Sequence, residues 1–346
     1  MSLREKVTEA MVTYAPIPKD KADVNRKFYY ARYEDNLFCP LGEQALDAYN
    51  NGSGAETRPT EKMVKGQKVI SPAKMASVAS SSAMTFNLLG NEPATILTDD
   101  ILPHGTYDVQ YEKQMYTVKK GSNPANLDAF LSNEDDKAAI FCEMKMLEWL
   151  GNPSCLKEAY LDEKYYFTPD YSAVGHPVDA YQAFRAVIEQ LIDHKEKAGY
   201  RSIFKRYDVW QMVKHLLAIY NYTSFATQNA VNAFSKIPSM AGKYNCIILA
   251  NVVNEFPAER IQETRVREAY IAALQEEREE AQRFTDIIMN SKIPHLFYNN
   301  CNAGIEVKYI TAKAFADNLD MTNIKREYLR RYFKIREYFV WTNRVI

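Results

Sequence analysis

Glycine and proline are scarce in this sequence, 12 and 14 among 346 residues. That scarcity leaves no room for extended low-complexity linkers and argues for a chain that folds over most of its length. Cysteine is sparse as well. Cys39, Cys142, Cys155, Cys246 and Cys301 are odd in number, scattered and without a CxxC pair, which excludes a disulfide frame or a cysteine zinc site and reads as reduced cytosolic thiols. Long apolar runs are missing too. The opening MSLREKVTEAMVTYAP has no apolar core of a signal peptide, and no window reaches membrane-spanning length. The expectation is a cytoplasmic protein with no membrane partner. An excess of either charge is the last absence: 43 Lys and Arg against 44 Asp and Glu leave a formal net charge of −1. Neutrality disfavours a protein that coats nucleic acid and leaves open an enzyme that grips a short stretch through a local basic patch.

What is present is an ordinary soluble composition, 47% hydrophobic and 25% charged, enough for a sizeable core. The 24 tyrosines suit half-buried surfaces and binding grooves. No fixed-period repeat or linker divides the chain, so one domain over 1–346 is expected: a lead-in over 1–40, a core over 41–255, and an extension of helix, strand and helix over 256–346. Helices are expected over 41–56, 74–91, 153–167, 177–199 and 207–225, the last strongly apolar, with a long amphipathic one over 259–290. Its EEREE run reads as a solvated face. KYNCIILANVV (243–253) reads as a buried strand, and IEVKYITAKAF (305–315) is strand-like at its start. The glycines Gly52 and Gly54 read as a helix end and loop rather than a phosphate cradle, since no GKS/T follows. The run Ser80, Ser81, Ser82 lacks an elbow pattern and a nearby His, and reads as helix capping or close packing.

The chemistry lies in the stretch from Tyr107 to Trp149, which reads as three consecutive strands. Strand side chains alternate, so Glu143 and Lys145 share one face of AIFCEMKML while Cys142 and Met144 share the other. Asp128 lies on the strand before, across the polar turn SNEDDK, and an antiparallel register sets it beside Glu143. Two carboxylates and a lysine flanked by Ile, Phe and Leu are costly to bury without a purpose. A hard divalent cation supplies one, because Mg²⁺ takes one or two carboxylates and draws its other ligands from water and phosphate oxygens. An isolated Glu-x-Lys is common on sheet surfaces, and the chain holds its own control in Glu306–Lys308, which reads as a surface pair.

The ordered segments add what spacing alone does not. NLDAFL followed by IFCEMKMLEW resembles the D…(D/E)xK signature of the PD-(D/E)XK nuclease superfamily. The closer resemblance is to a group of bacterial nuclease-like proteins of this type, over roughly residues 50–255. It rests on Gly52, Gly54 and Glu56; Ser81, Ser82, Ala83 and Asn87; Tyr111, Glu112 and Gln114; Asn126, Leu127 and Asp128; then Glu143, Lys145 and Glu148. The resemblance implies an α/β fold with a restriction-endonuclease-like core: a central mixed β-sheet flanked by helices, with an added helical C-terminal part. It implies a nuclease hydrolysing phosphodiester bonds of DNA, or else RNA. Asp128 and Glu143 would be ligands of Mg²⁺, with Mn²⁺ able to substitute, joined by the backbone carbonyl of Met144. Lys145 would position or activate water, and Glu56 would complete the shell, with Glu43 as its rival.

Around that set several readings stay open. Glu112 either points into the cleft or pairs at a strand edge, and Gln114 accompanies it. Glu148 nears Lys145 only if a bend follows the strand. Gln211 and His215, four apart, share a helix face and either touch substrate phosphate or pack together; none of His104, His176, His194 and His295 has a partner at metal spacing. The basic, aromatic stretch from Lys325 to Tyr338 suits nucleic-acid contact, and equally a surface helix with its aromatic side on the core. A homodimer is left open. The alternative function is a non-catalytic nucleic-acid-binding or scaffold protein that keeps the fold, and a weaker third is an enzyme using the serine run.

Overall fold

The computed structural model describes residues 1–52, 54, 56–64, 66–119 and 124–333, apart from the side chains of Lys62 and Val64. In chain order the elements are α1 (Leu3–Tyr14), α2 (Glu43–Asn51), a hairpin of β1 (Thr60–Val64) and β2 (Gln67–Ser71), α3 (Ser81–Leu89) and β3 (Ala94–Ile96). Then come β4 (Gly105–Met115), β5 (Ala125–Asn133), β6 (Ala138–Lys145), α4 (Ala180–Leu191), β7 (Ile192–Glu196) and β8 (Gly199–Ser202). The chain continues through α5 (Val209–Thr223), α6 (Gln228–Phe234), β9 (Cys246–Val253), α7 (Thr264–Met289), α8 (Ile293–Cys301), β10 (Gly304–Thr311), α9 (Ala312–Asp317) and α10 (Asn323–Tyr332).

A mixed six-stranded sheet in the order β10-β9-β6-β5-β4-β3 forms the centre. The meander β3 to β6 is antiparallel, and β6, β9 and β10 run parallel. This is the α/β, restriction-endonuclease-like core that the sequence implied, with helices on both faces and helices again at the C-terminal end. One apolar core lies under α1, α2, α3 and α10, and the other under α4, α5 and α8. The 26 residues of α7 reach both: Val266, Tyr270 and Ala273 enter the first, Ala281, Phe284 and Ile288 the second.

Strands β4 and β5 exchange faces part-way along. Tyr107 and Tyr111 with Ala129 and Leu131 enter the first core, but Met115 and Leu127 enter the second. In a regular strand all residues of one parity share a face. The change happens at one rung. Tyr111 pairs with Ala129 and Lys113 with Leu127, while the pair between them, Glu112 and Asp128, is missing from the ladder. Glu112 has φ of +51°, a left-handed conformation unfavourable for a glutamate. The ladder between β5 and β6 ends at Ala129–Cys142, so β5 leaves β6 just where Asp128 and Glu143 begin.

Several local expectations need correction. The expected helix over 153–167 is two 3₁₀ turns, Glu158–Leu161 and Glu163–Tyr165, because Asp162 interrupts the run and caps the second turn. The expected helix over 177–199 stops at Leu191, where the apolar stripe ends, and the polar remainder forms the β7–β8 hairpin. Gly199, with φ of +136°, opens β8 instead of ending a helix. The helices expected over 74–91 and 41–56 shorten to α3, N-capped by Ser80, and to α2, ending at Gly52. The EEREE run is a solvated face only in part: Arg278 and Glu279 are exposed, but Glu277 is 1% exposed and Glu280 accepts the backbone N–H groups of Lys205, Arg206 and Tyr207 at 2.7–2.9 Å.

Three other expectations held. Glu306–Lys308 lies on the sheet's edge strand β10 as a 3.0 Å pair with side chains 55% and 31% exposed. The long helix and the strand after 304 are present as α7 and β10. Of the basic stretch from Lys325 to Tyr338, the part from 334 lies outside the described residues. The part in α10 buries Leu329 and Tyr332 and sends the Tyr328 hydroxyl to Asn36 O at 2.9 Å, so its aromatic side packs inward.

A Cβ on Gly199 would lie 2.2 Å from the carbonyl oxygen of Leu156, which is backbone and pairs with Tyr200. With its positive φ, Gly199→Ala is expected to destabilise the protein by about 2–4 kcal/mol, read from urea denaturation midpoints. Gly175→Ala, where the added methyl would meet open space, is the control.

Candidate active site

The missing rung and the end of β6 open onto a cleft of about 520 Å³. Glu56, Glu112, Asp128, Glu143, Lys145 and Glu148 all line it, as do Asn126 and Gln211. Glu143 is 3% exposed, and among the described residues its carboxylate is held by side chains reaching in from nearby. Lys145 Nζ donates to Oε1 at 2.6 Å and Gln211 Nε2 to the same oxygen at 2.7 Å. His215 Nε2 lies 2.9 Å from Oε2 and must carry the proton, since a carboxylate only accepts. Gln211 Oε1 in turn accepts from Lys145 Nζ at 2.6 Å, so the amide is satisfied at both ends.

Two of these partners come from α5. Asp208 caps its first turn, and Gln211, Lys214 and His215 fall on one face of a helix otherwise apolar nearly all round. Gln211 and His215 therefore grip Glu143 rather than merely packing on each other, and the i, i+4 spacing of two polar residues in an apolar helix was the signal. Asp128 is tied differently: its Oδ2 accepts the Met144 N–H at 2.6 Å, bridging the gap where the ladder stops. Met144 thus offers its N–H to Asp128 from the strand position between the two residues of the Glu-x-Lys pair.

The remaining acids enter from outside the sheet. Glu56 sits in the loop before β1, 6% exposed, its carboxylate accepting from Lys74 at 3.1 Å and from Ser82 Oγ at 2.7 Å. Glu43, at the exposed start of α2, does not line the cleft. The serine run is thereby accounted for: Ser80 caps α3 and Ser82 holds Glu56. Gly52 and Gly54 have a second use, since a Cβ on them would come within 2.7 Å of Glu112 Oε2 and 1.8 Å of Glu56 Oε1. Asn126 donates to Glu112 Oε2. Gln114 pairs with Asn126 across the ladder and is not among the lining residues. A bend does follow β6, and Glu148 Oε2 holds it by accepting the N–H groups of Met146 and Leu147 at 2.6 and 3.0 Å. Lys74, and Arg4 from α1 (3.9 Å from Glu148), bring positive charge to the rim; nothing in the sequence singled them out.

The acids repel one another. Burial, together with the charges of Glu143 and Glu112, pushes Asp128 well above the usual carboxylate range. Burial pushes Glu112 up to about 7, aided by Glu56 and Glu143 and opposed by the Asn126 hydrogen bond. Glu143 goes the other way: burial is outweighed by the Lys145 ammonium and the His215 hydrogen bond, which hold it at about 2. Lys145 is held protonated by Glu143, Asp208 and Glu148 against the effect of burial. No three His, Cys, Asp or Glu groups among the described residues converge closely enough to hold a metal ion by themselves. Two carboxylates and a backbone carbonyl match the hard-oxygen donors that Mg²⁺ takes alongside water, and uncompensated repulsion is what a cation would relieve. The donor set fits.

A mixed sheet between helical layers, with an Asp and a Glu-x-Lys at the point where two strands part, defines a protein of the restriction-endonuclease-like class. Residues 5–333 match the family described as "Restriction Endonuclease associating with ARP", and the chain belongs to that family. No curated protein and no solved structure matches it. No helix among the described residues is long and apolar enough to cross a membrane.

The raised Glu112 pKa has a consequence for stability. A carboxyl that titrates at about 7 folded and near 4.5 unfolded binds its proton more tightly in the native state. Wild-type stability therefore falls as pH rises through that window and levels above it. Glu112→Gln, always neutral, escapes the loss and is expected to be about 1–3 kcal/mol more stable than wild type near pH ~8, with no gain near pH ~4, in urea denaturation.

Proposed function

We propose that this protein is a divalent-metal-dependent nuclease that hydrolyses phosphodiester bonds of DNA, or of RNA, in the acidic cleft. The observation behind the reading is that Asp128, Glu143 and Lys145 line one cleft, in a chain whose family is described as a restriction endonuclease. Asp128, Glu143 and the Met144 carbonyl would hold Mg²⁺, or Mn²⁺ in its place, and Glu56 is the candidate further acid. Such an ion neutralises charge developing on the phosphoryl group and acidifies an attacking water. Lys145, kept cationic by Glu143, orients that water or a phosphate oxygen as a hydrogen-bond donor rather than serving as a free base. Gln211 and His215 fix Glu143 in the charged form. Lys74 and Arg4 draw the polyanion to the rim. By the family's description, association with ARP joins the reading.

A second reading has an observation in its favour. Glu143 already spends both oxygens on Lys145, Gln211 and His215, which suits a nucleic-acid-binding scaffold that has kept the fold without catalysis. Calorimetric titration with Mn²⁺ separates the two: the nuclease binds the ion and loses binding in Asp128→Asn and Glu143→Gln.

Cleavage of single- and double-stranded DNA and RNA with Mg²⁺ or Mn²⁺ tests the activity. Asp128→Ala, Glu143→Gln and Lys145→Ala are each expected to slow it by about 100-fold or more, while Glu306→Gln leaves it unchanged. Undiminished cleavage by Asp128→Ala, or none by the wild type with any metal, would sink the reading.

A further inference from the structure

The acidic cleft does not end at α5. A second cavity of about 360 Å³ lies beyond it, and Asn126 and Gln211 line both spaces, so the two adjoin across these side chains. The second cavity is walled by the start of β5, the segment after β6 and the polar face of α5. Pro124 and Cys155 give it an apolar side, backed by Tyr160, which is 2% exposed in the second core with its hydroxyl anchored to Thr117 at 2.7 Å.

Its polar side holds an anomaly. Lys214 is half-buried and lines the cavity, and its ammonium makes no hydrogen bond or ion pair among the described residues. Even partial burial of an unpaired ammonium carries a desolvation cost. The charged groups that bear on it are Asp208, Glu143, Lys145 and Lys157, and burial outweighs the acids among them and lowers its proton affinity. An anion in the cavity would supply the missing counter-charge. The volume lies near the lower end of the roughly 300–1,000 Å³ typical of small-ligand pockets, which suits one nucleotide and leaves no space for a base pair.

We propose that this cavity is a subsite for one unpaired nucleotide of the substrate strand next to the cleaved bond, with phosphate on Lys214 and base against Pro124 and Cys155. The proposal rests on the nuclease reading and names its substrate: single-stranded or locally unpaired nucleic acid. A fully paired strand cannot place its base there without leaving the duplex, which carries an unstacking cost.

The test is binding of a fluorescent single-stranded oligonucleotide and of its blunt duplex, with Ca²⁺ replacing Mg²⁺, beside cleavage of both with Mn²⁺. Wild type is expected to bind and cleave the single strand at least about tenfold better than the duplex. Lys214→Met should erase most of that preference and reduce the salt-dependence slope for the single strand by about 0.7, the share of one phosphate contact. Lys214→Arg should restore both. Cys155→Trp, which fills the cavity, should remove the preference while duplex cleavage persists; if it does not fold, the two Lys214 variants decide. Equal handling of single strand and duplex by wild type, or a Lys214→Met protein indistinguishable from it, overturns the subsite while leaving the nuclease intact. Absence of any cleavage by wild type, or full cleavage by Asp128→Ala, overturns the nuclease reading and the subsite with it.

Discussion

A buried carboxylate, Glu143, sets the terms for everything around it. An unpaired charge at 3% exposure is costly, and three donors from two elements meet that demand: Lys145 two residues along the same strand, Gln211 and His215 from α5. The network constrains the packing of α5 on the sheet, since both helix residues must face the end of β6. It also makes Lys145 a fixed cation. The apolar remainder of α5 supplies burial, and its two polar residues supply alignment.

The second constraint is the face exchange in β4 and β5. Two strands give up one rung together, and the residues at that rung, Glu112 and Asp128, are both acids that line the cleft. The backbone strain at Glu112 is local, because the ladder resumes at once with Lys113–Leu127 in the same register. What the sheet loses is one pair of hydrogen-bonding residues. What it gains is an opening between β5 and β6 lined by side chains from both, with Met144 N–H closing the gap onto Asp128. The glycines at 52 and 54 complete the arrangement by letting the backbone pass close to two carboxylates.

Much of this was legible in the sequence because strand alternation is a strong rule. It set Glu143 and Lys145 together, put Cys142 and Met144 behind them, and brought Asp128 alongside. The ordered motif made Glu56, beyond two glycines, the candidate fourth ligand. The parts that were not legible are those decided by tertiary contact. Gly199 looked like a helix stop but opens a strand, because the carbonyl of Leu156 leaves no space for a side chain there. The EEREE run looked solvated, yet Glu280 closes a loop and Glu277 is buried; no local pattern marks which acid of such a run faces inward. Lys74 and Arg4 reach the rim from segments distant in sequence, and charge alone does not reveal that.

Helix α7 has a broader meaning than its length suggests. Its first turns seal one core and its last turns seal the other, with buried Glu277 between them. A layered molecule of this kind has two apolar reservoirs that would otherwise be free to open separately. With one rigid rod shared between them, loosening either exposes part of the same helix. The two faces of the sheet are thereby coupled into one cooperative unit, and the cleft, which draws residues from both sides, stays assembled as long as that unit does.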